Sequence, residues 1–397
     1  MHVLMVHNYY RQRGGEDQVF ENEAKLLEQH GINVIRYTVS NNEFEKYPPL
    51  RAFTSCIWNP ETYRNISELI TRHPVDVIHC HNLWAVASPS VYWAGRKKNI
   101  PIVQTLHNYR MVCCNGLLLR EGRICTECYR RNFVPTLKPI KYKCYRNSRS
   151  TTLAIYSMIN IHRVLGTWKK KVNLYIALSN FQKKILSEAG LPESKIAIKH
   201  NFTFELPTSM AKAGNHDYVV YTGRLSPEKG IDVLLKAWEA IPHIPLVIAG
   251  NGPLAERVKE VSKKCLSIKY TGQISHENVI SIIAGARCVI VPSICFESMP
   301  LITLEAFSCG TPVVASRVGA LPEIIEDNVT GLLFTPGNIN EMISKIQSLW
   351  HNQDLAIQMG KQARAEYERK YSEKVAFNNL MSIYEQAINA SRKGRDR

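Results

Sequence analysis

The 397-residue chain reads as an α/β protein built from two doubly wound parallel sheets. Short continuous apolar runs recur, among them residues 3–6, 246–249 and 288–291, and such runs suit strands buried on both faces. Segments of helical period separate them, as Phe20, Ala24 and Leu27 show at i, i+4 and i+7. The length is enough for two cores.

In chain order, residues 3–6 form a first strand, and a loop carrying Gly14-Gly15 leads into a helix that ends near Gly31. A Gly-Gly pair at this place lets backbone N–H groups come close to a phosphate, although an ordinary strand-to-helix turn also explains it. Residues 33–39 form a second strand. Residues 42–58 read as irregular, broken at Pro48-Pro49. The run from Val75 to His81 is a buried strand on which His79 and His81 point to one side, and at least one of the two is expected to be a satisfied structural histidine. A further strand begins at Ile102 and leads to His107. Residues 111–150 are basic, cysteine-containing and weakly periodic; 151–165 is a helix, 174–178 a strand, 181–189 a helix behind a Ser179 cap, and 196–198 the last strand of this half. Residues 203–217, rich in Pro, Ser, Gly and Asn, read as a hinge. The second half then alternates: strands at 218–222, 246–249, 268–271, 288–291 and 313–315, helices at 231–239, 254–264, 278–285, 301–308, 339–350 and 354–371. Residues 372–390 are helical in pattern, and 391–397 a charged, frayed end.

Composition is that of a soluble globular protein: 45% hydrophobic and 21% charged residues, with no apolar run long enough to span a bilayer. The start MHVLMVHNYY has no signal-peptide pattern, so the eleven cysteines are expected to be reduced, in a cytosolic setting. The net charge of +16 is unevenly spread. Residues 1–200 carry 29 basic and 14 acidic side chains, a net of +15, and residues 96–199 alone carry 21 and 4, a net of +17. That asymmetry points to a polyanionic partner: an anionic bilayer, a lipid diphosphate or nucleic acid. Trp168 beside Lys169–Lys171 reads as an interfacial anchor.

The richest stretch runs from Arg287 to Gly319. A strand leads into a loop holding Glu297; Pro300 opens a helix, and Glu305 lies on it, about 7 Å further along its axis. Between the two carboxylates lies a helix N-terminus with free N–H groups, an anion site. Hydroxyl-binding carboxylate, phosphate site, hydroxyl-binding carboxylate is the order of parts in a nucleotide sugar. Alone, the E-x7-E spacing is weak, and surface charge explains it as well.

Taken together with its surroundings, the stretch resembles the E-x7-E region of retaining GT-B glycosyltransferases of family 4. Tyr221–Gly230 is similar to that family's GR-x4-KG motif, Val247–Pro253 to its AG-x-GP turn, and Gly319–Glu323 and Asn328–Leu333 to the segments that follow. The resemblance implies a GT-B fold, two Rossmann-like domains facing a central cleft. It gives residues 1–205 as acceptor domain with the basic segment 111–150 inserted, 206–375 as nucleotide-sugar domain, and 376–397 as a helix returning to the first domain. It implies a bacterial surface-polysaccharide glycosyltransferase, retaining, in which Glu297 holds sugar hydroxyls, Glu305 the ribose, and His107 contacts the donor sugar. Arg224 and Lys229 suit the two phosphates by charge and shape. The Gly14-Gly15 loop, Gly223, Gly252 and the N–H groups near Pro300, Leu301 and Ile302 complete the nucleotide site. The sequence holds no DxD-type metal motif, so the chemistry is expected to need no metal or other cofactor. The expected partners are a nucleotide-diphosphate sugar, a lipid-linked or oligosaccharide acceptor and the anionic inner face of the cytoplasmic membrane, with no nucleic acid.

Cys125-x2-Cys128, flanked by Cys113 and Cys144, has the spacing of a structural zinc site. A subset of family 4 enzymes resembles this segment, and the likeness selects Cys113 over Cys114; buried unliganded cysteines are the alternative. Two other functions stay open. One is a GT-B enzyme with a soluble acceptor, such as a sucrose- or trehalose-phosphate synthase. The other is a nucleic-acid binder, which would leave the motifs from Tyr221 to Leu333 without a purpose.

Overall fold

The structure, a computed structural model, describes residues 1–129, 136–205 and 217–393. The chain divides into two units. The first comprises Met1–Leu118, Cys125–His200 and the chain from Ala376 on; the second comprises Leu119–Ile124 and Asn201–Val375.

Along the chain the strands are β1 (His2–Tyr9), β2 (Asn33–Ser40), β3 (Val77–Cys80), β4 (Ile102–Leu106), β5 (Leu119–Arg120), β6 (Arg123–Ile124), β7 (Leu174–Ala177) and β8 (Ile196–Ile198). They continue as β9 (Val219–Thr222), β10 (Leu246–Ala249), β11 (Ile268–Gly272), β12 (Cys288–Val291), β13 (Val313–Ser316) and β14 (Gly331–Phe334). In the first unit a parallel sheet has the order β2-β1-β3-β4-β7-β8; in the second the order is β11-β10-β9-β12-β13-β14. β5 and β6 form a separate antiparallel hairpin.

Each sheet reverses its winding once, between β1 and β3 in the first and between β9 and β12 in the second. Loops that leave the carboxyl ends of such strand pairs diverge and leave a crevice. Val219 and Val220 of β9 lie beside Cys288 and Val289 of β12, so the loops after both strands start side by side.

The cores follow the apolar runs. Val3, Met5, Val77, Val103 and Ile176 pack with Phe20, Ala24 and Leu27 of the helix Gly15–Gln29. The last helix, Glu373–Lys393, adds Leu380, Ile383, Tyr384 and Ala387 to that cluster. In the second unit Val219, Leu246, Ile268 and Cys288 pack with Leu234, Leu235 and Trp238.

The structure departs from the sequence reading in several places. Residues 42–58 are ordered: a 3-10 turn Asn41–Lys46 is followed by a helix Pro49–Ile57. The Pro48-Pro49 pair starts that helix rather than breaking the chain, because Pro49 stands where a missing N–H costs nothing. The sequence reading left out the helices Pro60–Arg72 and Ser90–Lys97, although Asn59, which caps the first, and Pro60 at its first position are helix-start signals. Trp168 is not an interfacial side chain. It is 6% exposed, and its indole N–H donates to the Ile159 carbonyl at 3.1 Å. The expected hinge falls largely on residues 206–216, and most of the expected frayed end on 394–397, both outside the described residues. Among the described residues no helix is long and apolar enough to cross a membrane.

Candidate active site

In the second unit the crevice between β9 and β12 gathers the residues of two sequence motifs. Lys229 ends the loop after β9 and Glu297 lies in the loop after β12; Lys229 Nζ donates to Glu297 Oε1 at 2.7 Å. Ser293 Oγ donates to the same oxygen at 2.5 Å. Burial pulls the Lys229 ammonium down, but the Glu297 charge outweighs it and pushes the group up overall, so it stays a cation. Glu297 is 7% exposed.

Two glycines make this approach possible. Gly230 has φ +75°, and a Cβ on it would stand 1.9 Å from the Pro292 carbonyl oxygen. Gly319 has φ +62°, and a Cβ there would stand 2.5 Å from both N and O of Glu297. Neither position admits a side chain, so the loops after β9, β12 and β13 close onto one another through bare backbone.

The helix Leu301–Ser308 begins behind Pro300, whose φ of −71° suits a helix entrance. Leu301 and Ile302 are half-buried in its first turn, where N–H groups have no partner within the helix. Glu305, 8% exposed, accepts from His276 Nε2 at 2.9 Å. That hydrogen bond raises the His276 imidazole above its ordinary value. Arg224 is exposed, and among the described residues no carboxylate pairs with it. Gly223 and Gly252 lie in two interlocked turns. Gly223 N donates to Ala249 O at 3.1 Å, and Leu225 N to Asn251 O at 3.0 Å. Sequence reasoning missed Ser293 and His276. Ser293 stands four residues before Glu297 in the same loop, a usable signal; His276 is far in sequence from Glu305 and had none.

In the first unit Gly14 precedes the helix Gly15–Gln29 in an extended conformation, φ −132°, which any residue can adopt. Its N–H donates to Asp17 Oδ2 at 2.9 Å, so this amide is already engaged. Beside Gly15 a Cβ would meet nothing within 4 Å, which leaves the helix entrance open to a ligand.

His107 follows β4 and lines a cavity of about 70 Å³. Its lining includes the polar side chains of Glu16, Asn82, Asn108 and Arg110 and the largely apolar Trp84, Tyr92, Met158 and Trp168. Asn108 Nδ2 donates to Glu16 Oε1 at 2.5 Å; desolvation holds the Glu16 carboxyl above the usual range. Glu16 Oε2 and Arg110 Nε are buried without a hydrogen-bond partner. The Arg110 guanidinium lies 5.2 Å from the centre of the Tyr145 ring. Of these lining residues only His107 was expected at the site; Trp168 was expected at a membrane interface instead.

Behind the cavity lies a buried polar chain. His81 Nδ1 is 3.0 Å from His107 Nε2, and Lys199 Nζ is 2.5 Å from Glu23 Oε1. His79 is satisfied on both sides, by Tyr384 OH and Thr105 Oγ1, each at 2.8 Å. Glu23, His79 and His81 bring one ligand atom each within 4.8 Å of one another. Their cation is Lys199, whose ammonium already sits on the Glu23 carboxylate; a metal ion beside it would meet its repulsion.

The zinc expectation is corrected. Among the described residues no three of Cys113, Cys125, Cys128 and Cys144 bring their sulfurs within 4.8 Å of one another, whereas a tetrahedral site holds them about 3.8 Å apart. They do share a neighbourhood. Burial, reinforced by Cys113, Cys125 and Cys144, pushes the Cys128 thiol up to about 12, and the Cys113 thiol faces Asn115 Oδ1 at 3.0 Å.

Two parallel six-stranded sheets of Rossmann type, each reversing its winding once, are those of the GT-B fold. The family model described as Glycosyltransferase Family 4 matches residues 2–204, and that described as Glycosyl transferases group 1 matches residues 203–366. The chain belongs to glycosyltransferase family 4. It is 25% identical over 394 residues to an uncharacterized glycosyltransferase of Methanocaldococcus jannaschii, covering 97% of this chain and 98% of that one. It is 23% identical over 402 residues to the phosphatidyl-myo-inositol mannosyltransferase of Mycobacterium leprae, covering 99% and 94%. Among solved structures it is similar to the sucrose-phosphate synthase of Thermosynechococcus elongatus, with TM-score 0.70 and 18% identity over 98% of this chain and 99% of that one. It is also similar to Anabaena HepE in complex with UDP and glucose, with TM-score 0.65 and 18% identity over 96% and 98%.

Proposed function

We propose that this chain moves a sugar from a nucleotide-diphosphate donor to a lipid-linked glycan acceptor, with retention of anomeric configuration, during assembly of a cell-surface polysaccharide. The observation that carries the reading is the Lys229–Glu297 pair at the switch point between β9 and β12, one turn before a helix N-terminus. Leaving-group charge develops on the diphosphate, and Arg224, Lys229 and the first N–H groups of the helix Leu301–Ser308 are suited to receive it, which lets the reaction proceed without a metal. Lys229 then serves twice: it holds Glu297 toward the donor sugar and exchanges part of that contact for phosphate when the donor enters. Glu305, held by His276, takes the ribose hydroxyls. His107 is the first unit's candidate for contact with the sugar, as the family resemblance implies. Retention without a carboxylate nucleophile separates this chemistry from that of retaining glycosidases.

The basic stretch 96–199 supports an acceptor at an anionic bilayer, on the cytoplasmic face, as does the likeness to a phosphatidyl-myo-inositol mannosyltransferase. A soluble acceptor is the second reading, supported by the likeness to a sucrose-phosphate synthase. Thermal-shift measurement against UDP-, GDP- and ADP-sugars tests the donor side. One nucleotide class should stabilise the chain in a concentration-dependent way. Transfer of the selected sugar to polyprenyl-diphosphate glycans rather than to free sugar phosphates then decides between the acceptors. If no sugar nucleotide shifts the melting temperature or is turned over, the reading fails.

A further inference from the structure

His107 carries its functional weight through one ring nitrogen, and the structure bears on which nitrogen that is. Its Nε2 lies 3.0 Å from His81 Nδ1, so of these two atoms one donates and the other accepts. The opposite nitrogen of His81, Nε2, faces Glu23 Oε2 at 3.5 Å, and neither of those atoms has a hydrogen-bond partner. Glu23 is fully buried and paired through its other oxygen with Lys199, also buried.

The tautomer follows from electrostatics. A proton on His81 Nε2 points at a carboxylate oxygen and is attracted. A lone pair there would face the carboxylate's own lone pairs in a medium with little screening. His81 therefore carries its proton on Nε2 and accepts at Nδ1. His107 must then donate from Nε2, and its Nδ1 is left unprotonated. Burial, with neighbouring imidazoles and Lys199, holds both rings well below the ordinary histidine value, so neither becomes a two-donor cation near neutral pH. His79 does not compete for His107, since both its nitrogens are engaged elsewhere.

We infer that the buried chain Lys199–Glu23–His81 is a positioning device that fixes the tautomer of His107, so that His107 presents a hydrogen-bond acceptor, not a donor, at Nδ1. The inference rests on the proposed function only for why this matters. An acceptor at that place orients a sugar hydroxyl, whereas a donor would compete for its lone pairs. His81 touches no substrate in this scheme; it acts through His107.

The test reads the tautomer directly and needs no substrate. The full chain is labelled with [15N]histidine, and the His107 ring signals are assigned by their disappearance in His107→Gln. Long-range proton–nitrogen spectra near neutral pH should show His107 with Nε2 protonated and Nδ1 bare. A proton on Nδ1, or an even mixture of tautomers, overturns the inference. In His81→Asn the amide oxygen can stand in for Nδ1, so the tautomer and most of the transfer rate should persist. In His81→Leu the acceptor is gone, the tautomer should become mixed, and kcat should fall on the order of 10- to 100-fold with the donor KM little changed. An unchanged tautomer and rate in a folded His81→Leu protein would also overturn it. Should that variant not fold, the wild-type spectrum and the Asn variant still decide. A spectrum as expected in a protein that transfers no sugar would remove the proposed function and leave the positioning device standing.

Discussion

Glu297 and Lys229 cannot be varied independently. Lys229→Ala removes the cation from a carboxylate that is 7% exposed and leaves it only the Ser293 donor, and losing one hydrogen-bond partner of a buried group commonly costs about 1–3 kcal/mol. Glu297→Gln keeps the shape and leaves Lys229 half-exposed, with solvent to receive its charge. We expect transfer to fall about 10²–10³-fold in both variants, with a lower melting temperature mainly in Lys229→Ala. Steady-state rates beside melting curves check this; near wild-type turnover in Glu297→Gln would remove Glu297 from the site. A second residue-scale expectation concerns acid. Desolvation lowers His79 from 6.5 to about 4 in the folded chain. Between those values the unfolded chain binds a proton at this residue that the native chain does not, so the His79 contribution to stability should fall as pH drops from about 6.5 towards about 4 and level off below. Urea midpoints across that range should decline less steeply in His79→Gln than in the wild type, and parallel curves would contradict the burial of a neutral imidazole.

At the scale of elements, the site depends on backbone contacts between loops more than on the helices that flank them. Gly230 closes the loop after β9 against Pro292, and Gly319 closes the loop after β13 against Glu297. Gly230→Ala demands both a left-handed backbone at a residue with a side chain and room where a carbonyl oxygen already stands. The strain alone costs about 1–3 kcal/mol, and the displaced loop should carry Lys229 away from Glu297. The expected result is a loss of donor-induced thermal stabilisation larger than the loss of intrinsic stability. Donor binding unchanged in Gly230→Ala would mean that the loop tolerates the shift. The helix Pro49–Ile57 teaches the complementary lesson: two prolines in a row look like a break, yet they stand at the cap and first position of a helix, where an N–H has no partner to lose.

For the whole molecule the decisive property is the distribution of charge. Residues 96–199 carry a net of +17, while residues 201–397 carry 21 basic and 20 acidic side chains. Trp168 lies in the core, so the expected attraction to a bilayer is electrostatic, with no aromatic insertion at that position. Binding to phosphatidylglycerol vesicles should therefore weaken steeply as salt rises past about 0.1 M, where the screening length shrinks to about 10 Å. Binding that survives high salt would point to an inserted apolar element instead. Indifference to anionic vesicles at low salt would leave the basic stretch to the acceptor's own phosphates.

The sequence by itself determined most of the strand-and-helix alternation of the second unit, including β10, β12 and the helix Leu301–Ser308, but missed β14 and the short helix Leu321–Ile324. Parallel strands buried on both faces must be continuous apolar runs, and the helices between them end at glycine and proline, so local signals agree with the global fold there. Its motifs also carried the resemblance to the family and singled out Glu297, Glu305, Lys229 and Arg224 as candidates, because these stand in short motifs whose spacing the backbone fixes. Only the tertiary structure decided which of them pair. Lys229 meets Glu297 across 68 residues, His276 meets Glu305 across 29, and Lys199 meets Glu23 across 176. Spacing carries no information on such contacts, since they arise where the two strands of a switch point send their loops apart or where buried charges must find partners. The same reason explains the cysteine segment, where Cys-x2-Cys spacing allows a metal site but the approach of the other two sulfurs decides whether one forms.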